Sequence, residues 1–304
     1  FFQNIIKINK FYPIFVNMIA SPFYAIFGRS QDAGVMINSG IFLGILIFSV
    51  YGIGKKIGNR QTGVVSAFIV TMYPLIFTQS RIYLLDLPLT AMVSLSVYLL
   101  LCANYFENRK YSILFGVGLG FSLLTKINFI IFIIAPLFIV AYKAFSLSYK
   151  ERKPFLCDDM PKRKLNFAHS LLLGLLISSI YYAPRFVVTY KNLLFSPSSP
   201  TFFSNRFWFL KYPYSFHDAL ASFWWYLQAT VNKGITFLFF VFFVIGLYFF
   251  LKRKLQTSKL LLLLWMIIPF ILLTFVFRTG FWASTELRYI MPSLPPIAII
   301  SSIG

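Results

Sequence analysis

The chain has 304 residues, of which 59% are hydrophobic, 20% aromatic and only 12% charged, with a formal net charge of +20. A soluble domain averages about 45–50% apolar and about 25% charged residues, so this composition excludes an ordinary soluble globular protein. The apolar runs are long and continuous, which excludes the alternating ten-residue strands of a membrane β-barrel. They predict an all-α polytopic membrane protein. The surplus of lysine and arginine sits in short loops between apolar runs, the positive-inside pattern, and is not a nucleic-acid footprint.

Phe11 to Phe27 is apolar but broken by Pro13 and Pro22, and its length predicts a helix on the membrane surface or a re-entrant segment. Spans are expected over Ala33–Gly54, Gly63–Thr78, Leu87–Tyr105, the glycine-rich Tyr111–Leu124, and Phe129–Phe145. A long basic loop from Lys143 to Lys164 follows, and then a sixth span over Asn166–Ala183. Residues 184–231 are polar and aromatic, and are expected to form a long external loop. Two further spans are expected over Ile235–Leu251 and Leu260–Phe277, then a loop or re-entrant stretch to Pro296 and a ninth span from Ile297. The whole of 1–304 reads as one transmembrane domain. Its start without methionine and its end inside an apolar run suggest a fragment of a longer protein.

Placing Lys55, Lys56 and Arg60 in the cytoplasm and alternating across the spans puts most of the cations on that side. The same alternation gathers Asp86, Lys126, the 184–231 loop, Glu286 and Arg288 on the opposite, external face. Asp86 is the notable residue there. It lies in the polar interruption Ser80-Arg81-Ile82-Tyr83-Leu84-Leu85-Asp86 between two apolar runs, and an acid at a membrane edge is usually functional or neutralised by a partner. Two readings follow: Arg81 pairs with Asp86 and marks a loop, or Asp86 is a carboxylate at the site of a reaction.

Glycosyl transfer needs a carboxylate to take a proton from the acceptor or orient it. A phosphate leaving group needs cations on its oxygens. Asp86 with Arg81, Lys126 and Arg288 supplies both types. Blander roles stand beside these: Lys126 capping a helix or snorkelling to headgroups, Arg288 anchoring the last span, and the external aromatics (Trp208, Trp224 and Trp225 among them) forming an interfacial belt. His217-Asp218 reads as a helix start, and Asp158 and Asp159 as solvated charge. Cys102 and Cys157 offer neither a disulfide framework nor metal spacing, and His169 and His217 lie too far apart for a local metal motif.

An ordered series of short motifs adds to this. It runs Tyr12-Pro13-Ile14, Gly52-Ile53-Gly54-Lys55-Lys56, Tyr73-Pro74, Leu85-Asp86-Leu87-Pro88-Leu89, Gly118 to Lys126, and Arg288-Tyr289-Ile290-Met291-Pro292. In this order the motifs resemble the dolichyl-phosphate-mannose protein mannosyltransferase superfamily, which includes the aminoarabinose transferases. These are C-type glycosyltransferases that use polyprenyl-phosphate sugars. The resemblance implies a transmembrane helix bundle with external juxtamembrane helices. It implies a polyprenyl-phosphate-linked sugar donor, and a lipid, glycan or protein acceptor hydroxyl. It also implies residence in the plasma (inner) membrane among its lipids, with the site on the external or periplasmic side and no role for nucleic acid. By the same resemblance Asp86 is a functional acid of the external cavity, and Lys126, Arg288 and Tyr289, together with Arg81, bind substrate. No cofactor is fixed by it, and a divalent cation is the one left open. The family's acidic first-loop motif lies N-terminal to the Tyr12-Pro13 element, before this sequence begins. A lipid-linked-sugar carrier or flippase, or a non-catalytic subunit of a glycosylation complex, is the alternative. A carrier predicts polar residues along the middle of several spans, and the spans here are nearly free of charge.

Overall fold

The computed structural model describes residues 13–28, 30–150, 162–195, 216–252, 256–276 and 287–303. Among these residues there is helix and no strand. Among the described residues five helices are long and apolar enough to cross a membrane: Gln31–Ile57, Phe129–Leu147, Lys162–Pro184, Ala219–Lys252 and Thr257–Phe275. A sixth crossing arises if the bent pair Arg60–Met72 and Pro74–Ser80 is one span. The protein is a multi-pass helical membrane protein, in agreement with the composition.

The first long helix, α1 (Gln31–Ile57), starts where Ser30 accepts a hydrogen bond from the Ala33 amide at 3.1 Å. Its turns at Ile37–Phe42 widen to π-helix. The next, α2 (Arg60–Met72), is capped by Asn59, whose Oδ1 accepts from the Thr62 amide at 2.8 Å. Tyr73 is extended, as a residue before proline tends to be, and Pro74 opens α3 (Pro74–Ser80) at 68° to α2. The expected second span is therefore broken at Tyr73-Pro74.

The centre of the bundle is α4 (Asp86–Cys102). Thirteen of its 17 residues are buried, so it packs on every face, as a helix that is apolar all round must. Two of its hydroxyls are satisfied within the helix, Thr90 Oγ1 donating to the Asp86 carbonyl and Ser94 Oγ to the Thr90 carbonyl, both at 2.8 Å, while Ser96 Oγ meets Ser122 Oγ at 3.1 Å. At 17 residues α4 is about 25 Å long, and it is buried by protein rather than sized to the bilayer. The expected third span stops at Cys102, and Asn104, Tyr105 and Phe106 then follow in left-handed backbone conformation.

The fourth expected span becomes α5 (Arg109–Leu123). Its glycines let it lie against α6 (Lys162–Phe195): a Cβ on Gly116 would meet the Ser170 backbone at 2.5 Å, and one on Gly120 would meet Ile177 at 2.6 Å. Between them in sequence runs α7 (Phe129–Lys150). Helix α6 passes through Pro184 to Phe195, and another helix, α8, covers Phe216–Ala229. Both ends of the expected 184–231 loop are thus helical, while residues 196–215 lie outside the described part. Helix α8 begins at Phe216, beside His217-Asp218.

After α9 (Thr236–Lys252) and α10 (Thr257–Ile271), a 3-10 turn over Leu287–Ser293 leads into α11 (Leu294–Ser301). That turn packs against α4. The short N-terminal helix Phe15–Phe27 is too short to span a bilayer. It docks instead on the end of α5, with the Phe15 amide donating to the Leu124 carbonyl at 3.3 Å and the Phe15 ring stacked on Phe121 at 4.8 Å.

Candidate functional site

Three chain turns meet at the N-terminal end of α4: Arg81–Leu85 before it, Leu124–Lys126 after α5, and Leu287–Ser293. Each brings a charged group. Asp86 occupies the first turn of α4, where a helix end favours negative charge, and is only 3% exposed. The Lys126 amine donates to Asp86 Oδ1 at 2.7 Å. Arg288 Nε lies 3.6 Å from Oδ2, a charge contact longer than a hydrogen bond. Lys126 is itself buried, and its side chain crosses the Tyr289 ring at 5.2 Å, with the Arg288 guanidinium 5.8 Å from the same ring.

Four residues singled out from the sequence therefore converge: Asp86, Lys126, Arg288 and Tyr289. The fifth, Arg81, does not join them. Its guanidinium stacks over Phe77 at 4.4 Å, and among the described residues it makes no ion pair. The expected Arg81–Asp86 pair is replaced by pairs reaching 40 residues downstream, to Lys126, and to the far end of the chain, at Arg288. Arg81 instead lines a separate cavity of about 760 Å³ with Tyr24, Ser30, Gln31 and Tyr83. Glu286, which the alternation of spans put on this face, lies outside the described residues.

The positions of these groups are fixed by buried polar contacts. Tyr182 Oη donates to the Leu123 carbonyl at 2.9 Å, and Ser122 Oγ to the Gly118 carbonyl at 2.6 Å, with Ser96 Oγ 3.1 Å away. These hold the end of α5 from which Lys126 projects. The Arg81–Leu85 turn is held from α1: the Asn38 amide donates to the Ile82 carbonyl at 2.6 Å and the Leu84 carbonyl at 3.0 Å. Asn38 is fully buried within the π-helical turns, where such bulges are often found beside functional sites. Sequence reasoning missed it. A lone polar residue inside an apolar span was its one signal. Among the described residues no group of three or more His, Cys, Asp or Glu side chains is placed to hold a metal ion.

The fold defines a class. Over 96% of its length the chain superposes on ArnT from Cupriavidus metallidurans bound to undecaprenyl phosphate, with a TM-score of 0.65 and 15% identity, covering 49% of that chain. The apo state of the same protein gives 0.63 at 16% identity over 48% of its chain. The Archaeoglobus fulgidus oligosaccharyltransferase, in complex with Zn and sulfate, gives 0.52 at 14% identity over 40% of its chain. This is the C-type glycosyltransferase fold, and the chain spans about half or less of the length of the solved structures it matches. Residues 12–158 match the family described as dolichyl-phosphate-mannose-protein mannosyltransferase, a stretch that includes Asp86 and Lys126. Fold and family match together support the mannosyltransferase and aminoarabinose-transferase-like superfamily indicated by the motifs. A comparison with curated proteins finds no match.

Proposed function

We propose that the protein is a membrane glycosyltransferase that moves a sugar from a polyprenyl-phosphate donor to a hydroxyl of a lipid, glycan or protein on the external face of the plasma membrane. One observation carries this reading: a buried carboxylate, Asp86, with the Lys126 amine at 2.7 Å and the Arg288 guanidinium at 3.6 Å, at one end of a helix bundle. In such a transfer the acceptor oxygen forms a bond to the anomeric carbon while the bond to the phosphate oxygen breaks. The acceptor hydroxyl gives its proton to a carboxylate, and polyprenyl phosphate leaves with the bonding pair. An ammonium and a guanidinium beside the departing phosphate stabilise the charge that grows on its oxygens.

Asp86 has two roles in this scheme. It fixes Lys126 and Arg288, so that little reorganisation is needed when the phosphate arrives, and it offers a carboxylate oxygen to the acceptor. Tyr289 underlies both cations and limits their freedom to swing. The distribution of lysine and arginine supports the external orientation, with Lys55, Lys56 and Arg60 assigned to the cytoplasmic end. The family match and the undecaprenyl phosphate bound by ArnT support a polyprenyl-phosphate donor.

The test is transfer in proteoliposomes, with radiolabelled polyprenyl-phosphate sugars and native membrane acceptors. Wild type is compared with Asp86→Asn, each as a monodisperse solubilised peak. Transfer by wild type and its loss in the folded variant is the expected result. Equal transfer by both removes Asp86 from the reaction. No transfer with any donor, together with donor movement between leaflets, replaces the enzyme by a carrier.

A further inference from the structure

The cavity beside Arg81 is not used by the chemistry above. Its volume, about 760 Å³, is that of a small-molecule site. One wall is the Arg81–Tyr83 turn, and the other is formed by Tyr24 together with Ser30 and Gln31. The walls are tied together: Tyr83 Oη donates to Asn17 Oδ1 at 2.9 Å, and the Tyr83 and Tyr24 rings meet edge to face at 6.3 Å. The cavity is thus a built feature of the fold and not a gap between loose segments.

Two properties of this cavity point to the same ligand. Arg81 is exposed, is held over the Phe77 ring, and among the described residues has no carboxylate opposite it. A planar cation held in place by an aromatic ring is suited to a phosphate, and the Ser30 hydroxyl and Gln31 amide beside it are further donors. Around the cavity, on the same elements, large apolar side chains face outward: Ile26 (75% exposed), Phe27, Met36, Phe77 and Ile82. A largely apolar pocket that holds the Arg81 cation beside a hydroxyl and an amide, with an apolar rim outside, matches a molecule with an anionic head and hydrocarbon tails. Exposed apolar surface alone would fit any lipid. The cation selects an anionic one.

We propose that this cavity binds the phosphate of an anionic membrane phospholipid, at a site separate from the Asp86 centre. The phosphate pairs with Arg81, and the acyl chains lie along Phe27, Phe77 and Ile82. The chain from Arg81 to Asp86 covers at most about 18 Å even when fully extended, so the two residues lie within that distance of each other. This inference does not depend on the transfer reaction.

The test measures binding alone. The protein is placed in nanodiscs or mixed micelles with phosphatidylglycerol or phosphatidylcholine, and retained lipid is counted by native mass spectrometry. Polyprenyl phosphate is titrated in parallel. Wild type should retain phosphatidylglycerol over phosphatidylcholine. Arg81→Gln should weaken phosphatidylglycerol about fivefold, the contribution of one arginine near a membrane surface. Arg109→Gln, an exposed cation at the opposite end of α5, should leave it unchanged. Unchanged phosphatidylglycerol retention in Arg81→Gln overturns the proposal. So does an Arg81→Gln variant that weakens polyprenyl phosphate as much as phosphatidylglycerol, because the cavity then belongs to the lipid-linked phosphate. If Arg81→Gln does not fold, wild type decides through salt. A phosphatidylglycerol preference that falls between 50 mM and 500 mM NaCl supports the site, and one that does not fall overturns it.

Discussion

Replacing Lys126 by methionine tests whether the Asp86 cluster is held by charge. The substitution keeps most of the side-chain volume and removes the ammonium 2.7 Å from Asp86 Oδ1. Asp86 then remains as a carboxylate whose side chain is 4% exposed, with Arg288 at 3.6 Å. Removing one partner of a buried pair costs about 3–5 kcal/mol. The remaining contact to Arg288 offsets part of that loss, since two charges about 4 Å apart interact by roughly 4 kcal/mol at an effective dielectric constant of about 20. A net loss of about 2–3 kcal/mol is expected for Lys126→Met. Asp86→Asn should cost a similar amount, by leaving Lys126 buried without its anion. The double variant removes both charges and should recover about 2 kcal/mol relative to the sum. Unfolding of the four proteins in one detergent gives the coupling energy directly. Coupling below about 0.5 kcal/mol would show that the two side chains do not hold each other, and the account of the site would fail.

Four further expectations concern the scaffold around the site. Asn38→Leu removes both hydrogen bonds to the Ile82 and Leu84 carbonyls, and should cost about 1–3 kcal/mol and raise hydrogen exchange at residues 82–85. Unchanged exchange there would show that α1 does not hold that turn. Gly120→Val drives two methyl groups into Ile177 across the α5–α6 seam and should cost about 1–3 kcal/mol or abolish the monodisperse peak. Gly118→Ala, whose nearest neighbour is the mobile end of Leu99 at 3.2 Å, should be close to neutral in the same unfolding assay. Tyr182→Phe removes the hydrogen bond to the Leu123 carbonyl and should destabilise by about 1 kcal/mol in thermal unfolding. A neutral result would remove it from the supports of Lys126.

The convergence of Asp86, Lys126 and Arg288 was legible in the sequence because membrane topology reduces a three-dimensional question to parity. With the lysine-rich loops set on one side, alternation across the expected spans puts those three residues together on the other. Which of them touch was not legible. Arg81 is five residues from Asp86 and was the natural partner by proximity. The turn after α3 instead aims it at Phe77, and the partners come from elements remote in sequence.

Spans were well placed where apolar length decides them, as in Gln31–Ile57 and Phe129–Leu147. They were less well placed where tertiary packing decides. Helix α4 is an interior helix shorter than a span, α2 and α3 bend at Tyr73-Pro74, and α6 runs on past Pro184 into a segment whose polar-aromatic composition suggested a loop. Asn38 escaped notice because its two hydrogen bonds are to backbone carbonyls 44 and 46 residues away, which no local pattern records.

The most direct measurement is an experimental structure of the protein with a polyprenyl phosphate bound. The phosphate is expected within hydrogen-bond reach of the Lys126 amine and the Arg288 guanidinium, beside Asp86. A phosphate seated on Arg81, with the Asp86 cluster empty, would contradict this placement.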